Sequence, residues 1–244
     1  MHLLLISNST NYGEKYLEWP QEYLADFMSG QHIKKVLFIP WAGVGLDPEG
    51  LEQSYNAYEK KVQNVYHKLG FEIHSIHHEA DPVKAVNDAE SIAVGGGNTF
   101  HLVAKMHETK TMAAIRKRVM DGIPYMGWSA GSNVTCPTLM TTNDMPITEP
   151  ESFRCLGVIP FQINPHYIDA HLQGHAGETR KQRIDEFLLV NRDMPVAGLR
   201  EGTLLEIHNT DIQLKGKKSL ILFRFGQEPR DHEPGSDIRF LLDH

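Results

Sequence analysis

Two cysteines in 244 residues, Cys136 and Cys155, are too few and too far apart for a disulfide framework or a zinc motif. They read as small buried hydrophobes of a chain kept in a reducing cytosol. Positive charge is also in short supply. With 24 Lys and Arg against 31 Asp and Glu, the formal net charge is −7, which excludes a general nucleic-acid surface because phosphate binding needs a basic patch. No apolar run approaches the length of a membrane span. The first seven residues carry only a short apolar run without a basic leader region, so no signal peptide is expected. Internal repeats, low-complexity tracts and a convincing linker are missing as well, and a single domain spanning 1–244 is expected.

What is there is a globular composition, 41% hydrophobic and 23% charged, arranged in alternating strand-like and helix-like stretches. Residues 2–7, 35–39, 71–76 and 91–94 read as short apolar strands. Residues 15–29, 51–69 and 82–89 carry helical spacing, with Gly30 and Gly70 as expected C-terminal caps of the first two. This rhythm implies parallel crossover units and a sheet covered by helices on both faces. Residues 137–165 are proline-rich and irregular, the kind of connection that carries function. Helical spacing returns at 177–191. Residues 195–199, 204–208, 212–214 and 220–225, separated by short turns, read as antiparallel strands on one edge. The fold class expected is therefore α/β, with a mostly parallel central sheet and antiparallel strands toward the C-terminus.

Gly127-Trp128-Ser129-Ala130-Gly131 follows the apolar Ile123-Pro124-Tyr125-Met126 and matches G-x-S-x-G, a strand turning sharply into a helix with its serine exposed at the turn. A serine hydroxyl needs a base to take its proton and a third group to orient that base. Among 14 histidines, His166 is the best placed, because Asn164-Pro165 breaks the apolar stretch 161–163 and leaves it at a strand end. His166, His171 and His175 match no zinc-ligand spacing, and His74, His77 and His78 read as surface residues. Two carboxylates compete as the orienting acid. Glu201 closes a buried-looking strand, whereas Asp144 lies in Thr142-Asn143-Asp144-Met145-Pro146, and spacing alone leaves both open. Gly95-Gly96-Gly97-Asn98 between a strand and a helix departs from G-x-G-x-x-G at Phe100 and is read as a close-approach loop. The N–H of Gly97 or Asn98 there is the expected second oxyanion donor beside that of Ala130.

VGGGNTF, GWSAGSN, TTNDMP, QINPH and GHAGETRKQRI, in this order, resemble the motifs of the peptidase E family, the aspartyl dipeptidases of the class I glutamine-amidotransferase-like α/β superfamily. The resemblance runs from LLLISNST at 3–10 to LREG at 199–202. It implies a cytosolic serine peptidase that cleaves dipeptides with an N-terminal aspartate and uses no metal or other cofactor. It makes Ser129 the nucleophile and His166 the base, assigns Glu201 to the triad, and keeps Asp144 as important for the site. It puts Arg180 against the substrate's side-chain carboxylate, with Thr99 and Asn143 also beside substrate. The charge balance supports a cation there independently, since an acidic ligand entering a net-negative protein needs a local partner and guanidinium matches carboxylate geometry. Trp41 stands where the resemblance leads one to expect phenylalanine. The expected partner is a small acidic dipeptide, not nucleic acid or a membrane, and the expected assembly a monomer or homodimer. An isoaspartyl or cyanophycin-type hydrolase, or a silent binder of small acidic metabolites, is the alternative.

Overall fold

The computed structural model describes residues 1–169 and 177–243. The readings placed on His171 and His175 lie outside the described residues. A seven-stranded sheet runs in the order β3-β2-β4-β5-β1-β8-β9, built from His2–Ile6 (β1), Lys35–Ile39 (β2), Glu72–Ser75 (β3), Ile92–Val94 (β4), Pro124–Trp128 (β5), Thr203–His208 (β8) and Asp211–Gly216 (β9). The first five are parallel, and β8 and β9 join antiparallel beside β1. Gln162–Tyr167 (β6), Val196–Arg200 (β7), Leu220–Phe223 (β10) and Arg230–His232 (β11) form a second sheet in the order β11-β10-β7-β6. The C-terminal strands are thus divided between two sheets rather than lined up on one edge. Their alternation shows which residues are buried, and pairing partners are decided by the rest of the fold.

Side chains on the central strands sort by the two-residue period into two cores. Leu3, Leu5, Leu37, Ile39, Ile92 and Val94 point to one face, and Leu4, Ile6, Val36, Phe38 and Ala93 to the other. Helices α1 (Gln21–Gly30) and α2 (Leu51–Tyr66) cover the second face with Leu24, Phe27, Val62 and Tyr66. Helices α3 (Pro82–Asp88), α4 (Thr99–Glu108) and α5 (Thr111–Met120) cover the first with Val86, Leu102, Met106 and Ile115. Each fully buried Leu or Ile contributes about 1.5–3 kcal/mol. The four-stranded sheet shares the first core through Ile163, Ala197 and Leu199, and α7 (Arg180–Val190) packs Ile184 and Leu188 on its other side.

Helix α1 starts only at Gln21, because Leu17 takes a left-handed φ of 54° and Pro20 precedes the first turn. Gly70 is left-handed as a cap residue should be, but after α1 that conformation belongs to His32, not to Gly30. Trp41 is buried in the first core, and its carbonyl bonds the His101 ring. Both cysteines are free thiols. Cys136 is fully buried, which pushes its thiol up to about 12, whereas Cys155 is only partly covered. Among the described residues no helix is long and apolar enough to cross a membrane.

Candidate active site

Ser129 stands at the carboxyl end of β5, flanked by β4 and β1, where ligands enter open parallel sheets. Its backbone, φ 55° and ψ −113°, is one that side-chain-bearing residues rarely adopt. Ser129 N–H donates to Ile6 O at 3.0 Å, and Ser132 Oγ lies 2.8 Å from both Ile6 O and Gly127 O and shares its one proton between them, fastening both sides of the turn to the sheet. The glycines of the motif are steric requirements. A Cβ on Gly127 would run into the Gly131 carbonyl, and one on Gly131 into the Val94 carbonyl. The short helix α6 (Ala130–Asn133) begins directly after the serine.

His166 reaches Ser129 from the second sheet. Its Nε2 lies 2.9 Å from Ser129 Oγ and its Nδ1 2.8 Å from Glu201 Oε1. The register of β6 against β7 shifts between Asn164 and Tyr167, and His166 takes φ 52° at that irregularity. A bulge of this kind re-aims one side chain out of the strand's alternation. Glu201 follows β7 at a turn completed by Gly202, whose φ of +83° suits glycine. Both the imidazole and the carboxylate are partly exposed, open to a ligand from the cleft.

The glycine loop lies against the same turn. A Cβ on Gly96 would stand 2.9 Å from the Ser129 Cβ. Gly97, at φ +135°, could not carry a Cβ without meeting the Ala42 carbonyl. Asn98 N–H is already spent on Ala42 O at 2.8 Å, which removes it as an oxyanion donor and leaves Gly97 of the two candidates. The Asn98 side chain caps α4 by accepting from His101 N–H and donates to Met145 O, a structural use.

Asp144 does not join the imidazole. Its Oδ2 accepts from Thr99 N–H at 2.7 Å, Thr99 Oγ1 at 2.6 Å and Thr142 Oγ1 at 3.0 Å, which fixes it to the start of α4. Of the two carboxylates, the one bonded to His166 is Glu201. Asn143 donates to Pro165 O and accepts from Asn164 Nδ2, bracing the strand that carries His166. The cleft, about 710 Å³, is lined by Ser129, His166, Gly96, Gly97, Asp144 and Arg180, among others. Burial pulls the Arg180 guanidinium down, neighbouring Arg183 adds to this, and Asp144 opposes it. No salt bridge holds Arg180 among the described residues, whereas Arg183 is drawn to Glu178 at 3.6 Å.

The sequence profile described as Peptidase family S51 matches residues 3–215. This chain belongs to peptidase family S51. Over 241 residues it is 47% identical to a protein named Peptidase E from Nostoc sp., covering 99% of this chain and 96% of that one. Over 244 residues it is 41% identical to Peptidase E of Streptomyces coelicolor, covering 100% and 96%. In three dimensions it is similar to the crystal structure of a peptidase from an acI-B1 Actinobacterium, with a TM-score of 0.64 at 16% identity over 96% of this chain and 94% of the other. That likeness bears on the fold, which is the α/β arrangement of mostly parallel sheet and antiparallel C-terminal strands described above.

Several further residues of this S51 peptidase matter to the site, two of them within LLLISNST at 3–10. Ser7, fully buried at the end of β1, accepts from His166 N–H at 3.1 Å and donates to Leu199 O at 2.7 Å, so one hydroxyl ties the two sheets together beneath the imidazole. Asn8 Oδ1 accepts from Gly202 N–H at 2.8 Å and steadies the turn bearing Glu201. Two polar residues directly after an apolar strand are the signal that could have found them. Lys61 is a second cation of the cleft, its ammonium 4.1 Å from the centre of the Tyr16 ring. His77 and His78 lie at the surface as read, half-buried and exposed respectively, and gather around the buried Glu59. Internal bonds account for that cluster: His78 Nε2 to Glu59 Oε2 at 2.7 Å, and His77 to Ser75 Oγ at 2.5 Å and Asn56 Oδ1 at 3.0 Å.

Proposed function

We propose that this S51 peptidase is a serine-type dipeptidase that removes an N-terminal aspartate from Asp-Xaa. The observation that carries the reading is the unbroken line Ser129–His166–Glu201, with hydrogen bonds of 2.9 and 2.8 Å, in a cleft that also holds an arginine without a carboxylate partner among the described residues. His166 Nε2 takes the Ser129 proton as Oγ attacks the scissile carbonyl carbon. The electron pair moves to the carbonyl oxygen, which is held by the N–H groups of Ala130 and Gly97. Glu201 stabilises the imidazolium through Nδ1–H. Collapse of the tetrahedral species breaks the C–N bond, and His166 returns the proton to the departing amine. Water then attacks the aspartyl ester, gives a proton to His166, and releases aspartate as Ser129 recovers its own.

Arg180 donates its guanidinium N–H groups to the aspartyl side-chain carboxylate, supplying the local positive charge that a net-negative chain needs to draw in an acidic substrate. The same reading places the protein in the cytosol as a monomer or homodimer, with a small acidic dipeptide as its partner. The test is initial-rate hydrolysis of Asp-Leu beside β-linked Asp-Leu, Leu-Leu and Asp-Leu-Gly, with EDTA present. Cleavage selective for Asp-Leu supports the reading. Preference for the β-linked peptide moves the protein to an isoaspartyl hydrolase, and no turnover of any of the four leaves the silent binder.

A further inference from the structure

The Tyr58 hydroxyl lies under the glycine loop and takes no part in the steps above. It accepts a hydrogen bond from Trp128 Nε1 at 3.0 Å and one from Tyr16 Oη at 3.3 Å, and it donates to Gly96 O at 2.9 Å. A phenol has one proton to give, and with both neighbours donating, Gly96 O is where that proton goes. Burial pushes the Tyr58 hydroxyl up to about 12, so it remains a donor across the working pH range. Its ring is seated just as tightly. A Cβ on Gly95 would stand 2.7 Å from the Tyr58 oxygen, and one on Gly43 would run into the ring. The indole that donates to Tyr58 is that of Trp128, the residue immediately before the nucleophile, and it stacks on Phe38 at 5.9 Å between ring centres.

The peptide joining Gly96 to Gly97 is planar and trans, so its C=O and N–H point in opposite directions. Holding the carbonyl on Tyr58 turns the Gly97 N–H to the opposite side of that peptide, and Gly96, Gly97 and Ser129 line the same cleft. Gly95 N–H to Ile39 O and Asn98 N–H to Ala42 O anchor the loop on either side, but the two successive glycines between them have no side chains to resist rotation of that one peptide plane. We propose that Tyr58 is a positioning residue of the oxyanion hole, orienting the Gly96–Gly97 peptide so that the Gly97 N–H meets the charge that develops on the carbonyl oxygen over Ser129. The inference rests on the serine-peptidase reading and adds to it a residue from α2, remote in sequence from every motif of the site.

The experiment compares wild type, Tyr58→Phe and Gly95→Ala. Phenylalanine keeps the ring between Gly43 and Gly95 and loses only the hydroxyl. Alanine at 95 keeps Tyr58 and crowds its oxygen off Gly96. Kinetics on Asp-Leu are measured together with the affinity for an aspartyl aldehyde, which forms a tetrahedral adduct on the serine, and for free aspartate, which does not. Removing a whole oxyanion donor costs about 10²–10³ in turnover, so letting one drift is expected to lower kcat about 10–100-fold with KM within about twofold. Aldehyde affinity should fall by the same factor as kcat/KM in both variants while aspartate affinity holds, because only the tetrahedral form uses the donor. Unchanged kcat in Tyr58→Phe, or equal losses for aldehyde and aspartate in whichever variants fold, would overturn the positioning role. Failure of the wild type to cleave Asp-Leu counts against the functional reading instead, since the ratio of aldehyde to aspartate affinity is read without turnover.

Discussion

The two sheets contribute to the cleft in different ways. The seven-stranded sheet offers Ser129 and the glycine loop on short turns whose geometry is fixed by their own glycines and by bonds to the adjacent strands. The four-stranded sheet offers His166 and Glu201 from β6 and β7, whose pairing joins segments about thirty residues apart and whose link to the first sheet beside the imidazole is the buried hydroxyl of Ser7. One half of the site is made within a single sheet. The other exists only when the sheets dock, and that difference says which substitutions should damage chemistry, which should damage binding, and which should loosen the junction.

The sharpest contrast is between the two carboxylates. Glu201→Gln, which keeps shape but loses the charge facing the imidazole, is expected to lower kcat on Asp-Leu by about 10²–10³ with KM little changed. Asp144→Asn acts on the start of α4 and on the surroundings of Arg180, so steady-state kinetics should show a raised KM and less than about a tenfold change in kcat; the reverse ranking would return Asp144 to the relay. Next in size, Arg180→Lys preserves charge and loses the planar fork. Its expected cost is about 10–100-fold in kcat/KM for Asp-Leu, the equivalent of ~1.5–3 kcal/mol for a hydrogen bond to a charged group. Were Asp-Leu turnover indifferent to this change, the side-chain carboxylate would be held elsewhere.

Ser7→Ala addresses the junction itself. It leaves the His166 N–H and the Leu199 carbonyl unpaired in a dry place, at about 1–3 kcal/mol, so a thermal melt should fall by about 3–8 °C with a modest loss of kcat. The smallest effect lies at the outer end of β7, where Arg200 donates to Asp169 through Nε and Nη2, both at 2.7 Å, and to Asp231 at 2.6 Å. The Arg200 guanidinium holds the Asp169 carboxyl below its ordinary range. A carboxyl depressed in the folded state stabilises above its unfolded pKa, ~3.9, and loses that contribution as pH falls through the folded value. Asp169 is 59% exposed, so solvent screens most of the gain. Asp169→Asn should melt about 1–3 °C below wild type at pH 7, the gap narrowing as pH falls below ~3.9.

Much of this arrangement can be read from the chain before it is folded, and the limits are instructive. Residues 35–39 coincide with β2, and the other parallel strands differ from expectation by one or two residues at either end, because a buried apolar run bounded by turn residues has few alternatives. G-x-S-x-G announces itself because steric demands put glycines at fixed positions. Glu201 and Asp144 cannot be ranked by spacing, since each ends an irregular or extended stretch and only the docking of β7 beside β6 brings one of them to His166. The donor choice between Gly97 and Asn98 likewise turns on one contact, Asn98 N–H to Ala42 O, made with a loop more than fifty positions upstream. Helix α5 carries no strong cap signal, its first turn being preceded by Lys110 in a left-handed conformation.

The central claim is that Ser129 and His166 act as one unit across the two sheets, and a double-mutant cycle tests it most directly. Turnover of Asp-Leu is measured for Ser129→Ala, His166→Ala and the double variant, each shown to be folded by its melt. The account predicts that each single change costs about 10⁴–10⁶ and that the double costs no more than the worse single, as for residues that work only together. Losses that multiply would mean that the serine and the histidine act independently, and would contradict the relay.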